Sequence, residues 1–276
     1  MPELPEMQAL AERLDGYVAG HLLIGVRPLQ FSAMKTPTDI EPFLGRTIES
    51  VGRRGKYLDM RLGGPRILVH LSQGGRVDVE DPPKVTRPKG AVVRFDVKDA
   101  PSILVKEYGT QRKAGWWALE AGDEGPLAGL GPEPDGLEFK RLLAEGSDGR
   151  RVHTMLRDQR TVAGIGRGYG DDILHRACVS PFVSLTKLDP DARRRLADAV
   201  DTVLAEAVEK ERTRTGGLPT KMAGRFTVHG HHGDPCPACG RTLERVSYES
   251  HEVVYCPDCQ TGGRVYADRR LSRIVR

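Results

Sequence analysis

Cys236-Pro237-Ala238-Cys239 and Cys256-Pro257-Asp258-Cys259 determine how the C-terminal part of the chain folds. The spacing is C-x2-C-x16-C-x2-C. Each C-x-x-C turn places two thiolates on one side of a tight knuckle, and two knuckles complete a tetrahedral four-sulfur site suited to one zinc ion. Because protein fills all four positions, such an ion is structural. A redox dithiol is the competing reading, and the two matched pairs, each with proline after its first cysteine, favour metal. Between the knuckles, residues 242–246 and 252–255 have the composition to pair as a hairpin. Small metal-stapled units of this kind serve nucleic acids in some proteins and protein partners in others.

Upstream of the cysteines the pattern is helical. The longest helix is predicted from Pro190 to about Lys210, with Asp189 as N-cap, proline at the first helical position, and Leu196, Val200, Val203, Leu204 and Val208 on one face. Short helices are predicted over 137–144 and 152–157, and another over 171–177. The last follows Gly164-Ile165-Gly166-Arg167-Gly168-Tyr169-Gly170-Asp171-Asp172, a glycine-rich turn whose backbone N–H groups suit a phosphate. Glycine turns also merely connect helices, and the G-K-[ST] ending of a triphosphate loop is absent. A Gly/Pro-rich stretch over 122–136 marks a boundary. Before it lie short β-type runs at 22–26, 48–51, 57–62, 66–71, 91–97, 103–105 and 116–119, which predict a sandwich or barrel-like pair of sheets. Residues 81–90 are predicted as a loop, and residues 5–18 as a helix burying Met7, Leu10, Ala11, Leu14 and Val18.

The chain has 276 residues, 38% of them hydrophobic and 29% charged, which bounds it to a globular protein of two or three domains. A net charge of +4 fits a polyanionic partner without requiring one. No run approaches a membrane span, and the acidic, proline-punctuated start is unlike a signal peptide. A reducing cytoplasm is therefore expected, and paired cysteines there read as metal ligands before disulfides. The fifth cysteine, Cys178, is expected to be a small buried hydrophobe.

The start of the chain offers its own chemistry. If Met1 is removed, Pro2 presents a secondary amine, and an α-amino group of pKa about 7.7–8.0 keeps a neutral fraction near neutral pH. Such an amine can attack a sugar carbon and form an iminium, with Glu3, or Glu6 one turn along, moving protons. Taken alone, Pro-Glu is also an ordinary way to begin a helix.

These three signals in this order resemble the formamidopyrimidine-DNA glycosylase and endonuclease VIII family of base-excision enzymes. The matching pieces are Pro2-Glu3-Leu4-Pro5-Glu6, Arg53-Arg54-Gly55-Lys56-Tyr57-Leu58, His70-Leu71 with Gly75-Arg76, Leu130-Gly131-Pro132-Glu133-Pro134, the glycine turn, Ser180-Pro181, and the finger ending in Gln260. The resemblance implies an α+β multidomain fold. Its parts would be an N-terminal β-sandwich catalytic domain with an N-terminal helix (2–135), a helix-two-turn-helix DNA-binding domain (136–220), a zinc-finger hairpin (221–260) and a basic tail (261–276). It implies a monomeric bacterial enzyme of the cytoplasm and nucleoid, acting on damaged double-stranded DNA, with single-stranded DNA an open alternative. Glycosylase and AP lyase activity would follow from Pro2 attacking C1′ of a flipped nucleotide, Glu3 as acid/base, Glu6 as supporting carboxylate and Lys56 gripping the flanking phosphates. His70, Gln73, Arg112, Arg167 and Tyr169 would contact DNA, Arg112 entering the space left by the flipped base. Cys236, Cys239, Cys256 and Cys259 would hold zinc.

Several positions depart from the family pattern. Arg167 replaces the turn's asparagine, Gln73 a methionine and Ala114 the wedge phenylalanine. The segment 215–228 is short for a lesion-covering loop, and His251 or Glu252 stands where the finger arginine belongs. The tail adds Arg264, Arg269, Arg270, Arg273 and Arg276. These changes touch the parts that read the lesion, so inefficient removal of 8-oxoguanine is expected, with oxidised pyrimidines, ring-opened purines, single-stranded substrates and bulky adducts as the alternatives. A damaged-DNA-binding module without turnover is the alternative, and a zinc-ribbon protein acting on RNA or protein the third reading.

Overall fold

The structure, a computed structural model, describes residues 1–36, 39–108, 112–219, 224–248 and 252–266. The chain forms two compact units: Met1–Gly129 with Ala207–Met222, and Leu130–Glu206 with Ala223–Arg276. No helix among the described residues is long and apolar enough to cross a membrane.

The first unit opens with α1 (Leu4–Val18). Glu3, in extended conformation, is its N-cap, and a reciprocal capping box with Glu6 satisfies two of the orphan N–H groups of the first turn. One face of α1 buries Met7, Leu10, Leu14 and Val18. Eight strands follow: β1 (Leu23–Pro28), β2 (Ser50–Arg54), β3 (Tyr57–Arg61), β4 (Arg66–His70), β5 (Gly75–Glu80), β6 (Ala91–Val97), β7 (Ser102–Glu107) and β8 (Gly115–Leu119). They form two antiparallel sheets, ordered β1-β6-β7-β5 and β2-β3-β4-β8. Leu58, Met60, Ile67 and Val69 from one sheet and Phe95, Ile103 and Val105 from the other meet in one core with α1. This is the predicted sandwich. Part of the outer face of the first sheet is also covered. There Arg94, fully buried, pairs with Glu80 at 2.7 Å and donates to the Thr86 carbonyl in the loop above.

β5 was not among the predicted strands. The chain also returns to this unit late. Arg13 of α1 donates to the carbonyls of Glu211 and Gly216, Arg212 pairs with Glu12, and Leu218 bridges to Val77 on β5. A side chain at Gly217 would sit 1.9 Å from the Val77 carbonyl oxygen, so this close approach requires glycine.

The second unit contains α2 (Leu137–Glu145), α3 (Val152–Arg157), α4 (Arg167–Arg176), most of α5 (Pro190–Arg212), the hairpin β9 (Glu244–Ser247) and β10 (Glu252–Tyr255), and α6 (Pro257–Thr261). Asp189 caps α5 as predicted, its carboxylate accepting from the Ala192 N–H at 2.7 Å. Two expectations need correction. α4 begins at Arg167 rather than Asp171, so Gly168 and Gly170 lie inside the helix. Cys178 is exposed, with φ +52, because it ends the turn after α4 instead of joining the core.

Candidate active site and metal centre

Pro2, Glu3, Glu6, Lys56, His70, Gln73 and Arg112 belong to the first unit. Pro2 is buried at the head of α1, while Met1 before it is 38% exposed. Glu3 and Glu6 are both buried, and the Glu3 N–H donates to Glu6 Oε2 at 2.7 Å. The capping box thus fixes the backbone immediately after Pro2. Lys56 occupies the two-residue turn between β2 and β3, after Gly55 at φ +56, the conformation a tight hairpin needs at its first turn position. It is 5% exposed, which sets it apart from an ordinary solvated strand lysine. Arg53, from the same basic run, is turned back onto Gln8 of α1 and the Gly55 carbonyl.

His70 ends β4, directly across from Tyr57, and their rings lie 4.7 Å apart. Burial, and then the charge of Lys56, push its pKa down to about 4. The imidazole is therefore neutral near pH 7. The unfolded chain protonates near 6.5 and the folded one near 4, so this group costs stability progressively as pH falls through that window. A His70→Gln variant is expected to lose less stability than the parent on acidification, by about 2 kcal/mol near pH 4.5. Denaturant titrations at a series of pH values test this, and parallel pH profiles for the two proteins would refute it.

Gln73 is exposed in the turn before β5. This turn packs backbone to backbone against the end of β7: the Tyr108 N–H donates to the Gly74 carbonyl at 2.9 Å. Arg112 is exposed in the connection from β7 to β8. That connection is pinned by Glu107, one oxygen of which accepts from the Lys113 and Ala114 N–H groups at 2.7 and 3.0 Å. Ala114 is buried.

Arg167, Tyr169 and the four cysteines belong to the second unit. Arg167 is the first residue of α4, after an extended Gly166. Gln159 shapes the turn before it, accepting from the Gly164 N–H and donating to the Arg157 and Ile165 carbonyls. Arg157, at the end of α3, has its pKa lowered by burial and then by the Arg167 charge, so positive charge concentrates here. Tyr169 is buried with its ring edge-on to Phe226, and a side chain at Gly168 would strike that same ring. The glycine thus has a packing role beside any phosphate role.

The four cysteine sulfurs lie within 4.8 Å of one another, with Cys236–Cys259 at 3.9 Å and Cys239–Cys256 at 3.5 Å. Tetrahedral thiolates at about 2.3 Å from zinc stand roughly 3.8 Å apart, so the spacing fits a metal and is far beyond a disulfide bond. The thiols differ as isolated groups. Burial alone would raise Cys236, but hydrogen bonds led by His175 bring it down; Cys239, held mainly by the Arg241 N–H, is also lowered. Burial raises Cys256 and Cys259. A divalent cation is what would let all four ionise together.

The cluster is held by α4 through residues that local sequence did not reveal. Asp172 accepts from the N–H groups of Thr227, Val228 and His229, and Asp171 from those of Val254 and the His229 ring. Gln260 accepts from the Cys256 N–H and donates to the Val179 carbonyl. Glu252, in the region of the expected finger arginine, pairs with Arg245 inside the hairpin. His251 lies outside the described residues, as do Arg269, Arg270, Arg273 and Arg276 of the tail.

Residues 1–117 match the family model of the formamidopyrimidine-DNA glycosylase N-terminal domain, and residues 130–217 that of the formamidopyrimidine-DNA glycosylase H2TH domain. The chain is 35% identical to formamidopyrimidine-DNA glycosylase of Thermus thermophilus, covering 95% of this chain and 100% of that protein. It is 31% identical to the Chloroflexus aurantiacus protein of the same name, covering 94% and 98%. Among solved structures, MutM (Fpg) from Thermus thermophilus superposes with a TM-score of 0.78 at 33% identity, over 94% of this chain and 98% of that one. Lactococcus lactis Fpg, non-covalently bound to DNA containing an AP site, gives 0.79 at 23% identity over 94% and 99%, a likeness of fold.

Proposed function

Because the chain belongs to the formamidopyrimidine-DNA glycosylase family, we propose that its Pro2 amine, freed by removal of Met1, attacks C1′ of a damaged nucleotide flipped out of double-stranded DNA. The protein is a DNA glycosylase of base-excision repair, and lyase activity is typical of its family. The observation that carries the reading is that the family match begins at residue 1, on a chain that keeps Pro2-Glu3 at the buried head of α1.

In the first step a bond forms from the Pro2 nitrogen to C1′ and the bond to the base breaks; the electron pair leaves with the base, which takes up a proton as the amine gives up its own. Protonation of O4′ by Glu3 lets the sugar ring open to an iminium. Loss of a C2′ proton then expels the 3′ phosphate; a second elimination, where it follows, expels the 5′ phosphate. Glu6 supports Glu3 through its backbone N–H. Lys56 serves the phosphates beside the lesion. The neutral His70, with Gln73 and Arg112, contacts DNA around the extruded nucleotide, where unstacking costs a few kcal/mol. Arg167, with Arg157 near it, supplies phosphate contacts where relatives use asparagine, and Tyr169 supports that turn. Cys236, Cys239, Cys256 and Cys259 hold one structural zinc, which supplies cross-linking and no chemistry. The enzyme works as a monomer in the cytoplasm.

Borohydride reduces an iminium to a stable amine. The purified protein is expected to leave a covalent band with an abasic duplex, graded across duplexes carrying 8-oxoguanine, ring-opened guanine and oxidised pyrimidines. Intact DNA binding without a band on the abasic duplex, in protein shown by mass spectrometry to lack Met1, would reject turnover in favour of a damage-binding module.

A further inference from the structure

We propose that His175 belongs to the metal centre without being one of its ligands: its Nε2–H donates a hydrogen bond to the Cys236 sulfur and ties the four-thiolate site to α4. The inference rests on the reading of the cysteine cluster as a zinc site. His175 is on the third turn of α4, 7% exposed, with Nε2 3.1 Å from Cys236 Sγ.

Three observations give the contact a direction and a purpose. First, among the described residues the metal-sized group comprises the four sulfurs, and a four-cysteine set is already closed for zinc, so the imidazole is a partner of a ligand. Second, a zinc-bound thiolate only accepts hydrogen bonds. The ring must therefore carry its proton on Nε2, and the metal sets the tautomer. Third, zinc with four thiolates carries an excess of negative charge. Cys239 is exposed and Cys259 partly so, and these can draw on water, whereas Cys236 is 3% exposed and cannot. Its donors must come from the protein. The same helix presents Asp171 and Asp172 to the backbone around the cluster. His175 adds a contact that reaches a sulfur, and couples metal retention to α4, which also carries Arg167 at its other end.

The test uses the full-length zinc-loaded protein with 15N-labelled histidine. Long-range nitrogen–proton correlation spectra are expected to show His175 as the Nε2–H tautomer, its proton slow to exchange. The signal is assigned by its absence in His175→Phe. In competition with a chromogenic chelator, His175→Phe is expected to release zinc about tenfold or more readily. His175→Gln, whose side-chain amide nitrogen reaches a similar point, is expected to stay within a few-fold of the parent. An Nδ1–H tautomer in zinc-loaded parent protein overturns the proposal without need of any variant. So does equal zinc release by the parent and the Phe variant, or equal loss by Phe and Gln. Absence of zinc from the purified parent would instead bring down the zinc-site reading itself, and this inference with it.

Discussion

Protein that keeps Met1, or carries two residues ahead of Pro2, is expected to give no borohydride-trapped band on an abasic duplex. The lyase rate should fall on the order of 10^6-fold, the scale seen when an enzyme loses a covalent nucleophile. The cause is electronic. Acylation converts the Pro2 amine into an amide whose lone pair is delocalised into the carbonyl. The fold has no reason to follow, because the head of α1 is closed by Glu3 and Glu6 and not by Pro2. Melting temperature and low-salt DNA affinity should therefore match the trimmed protein. A trapped band of undiminished strength would show that another amine attacks. The buried Lys56 would be the first to examine, and peptide mapping of the adduct would identify it.

Removing the metal is expected to have the second largest effect. The apolar cluster around the cysteines is small: apart from Cys236 and Cys256 its buried members are Val228, Leu243 and Val254. Such a core cannot offset the conformational entropy of the residues it orders. Zinc binding to a site of this kind contributes about 10 kcal/mol or more to folding. Chelation, or Cys256→Ser at the fully buried ligand, should unfold the segment from Val228 to Gln260. The loss should spread further, since Asp171 and Asp172 would be left buried without the N–H donors they hold. Limited proteolysis should then cut within that segment, and duplex affinity should fall to its non-specific level. The sandwich core should stay protected. A chelated protein as resistant and as tightly bound as the parent would mean that the cysteines are not a folding element.

Most of the architecture was legible because its signals are local. The α1 face, the Asp189 cap, the cysteine spacing and the sandwich strands other than β5 depend on residues close together in sequence, and hydrophobic periodicity reports them. β5 was hidden because three of its six residues are charged. Between Gly75 and Glu80 only Val77 and Val79 are apolar, and the charges that interrupt them are answered across the sheet, Asp78 by Lys106 and Glu80 by Arg94. The start of α4 was misplaced for a similar reason. Gly168 lowers helix propensity, yet it lies under the Phe226 ring, where a Cβ would clash, a contact that no local window contains. The chemical site divides the same way. The cysteines announce themselves by spacing, whereas Pro2 and Glu3 stand out only through the resemblance to a family. Glu107, Gln159, Asp171, Asp172 and His175 act by holding backbone or sulfur through contacts that form only in the fold, and so carry no motif.

The late return of residues 207–218 to the first unit bears on synthesis. This unit is interrupted: its α1 brace and the strand-edge bridge at Val77 arrive only after the intervening residues 130–206 have been made. On the ribosome the sandwich must wait, with the β5 edge uncovered, while about 80 further residues emerge, a delay of several seconds at ordinary elongation rates. Closing so long a loop costs little extra free energy, since the penalty grows only logarithmically with length. The burden is temporal. A nascent chain stalled before Leu218 would carry its N-terminal head without its support. Cutting the gene at the boundary near Gly129 would likewise yield a fragment lacking part of its own scaffold.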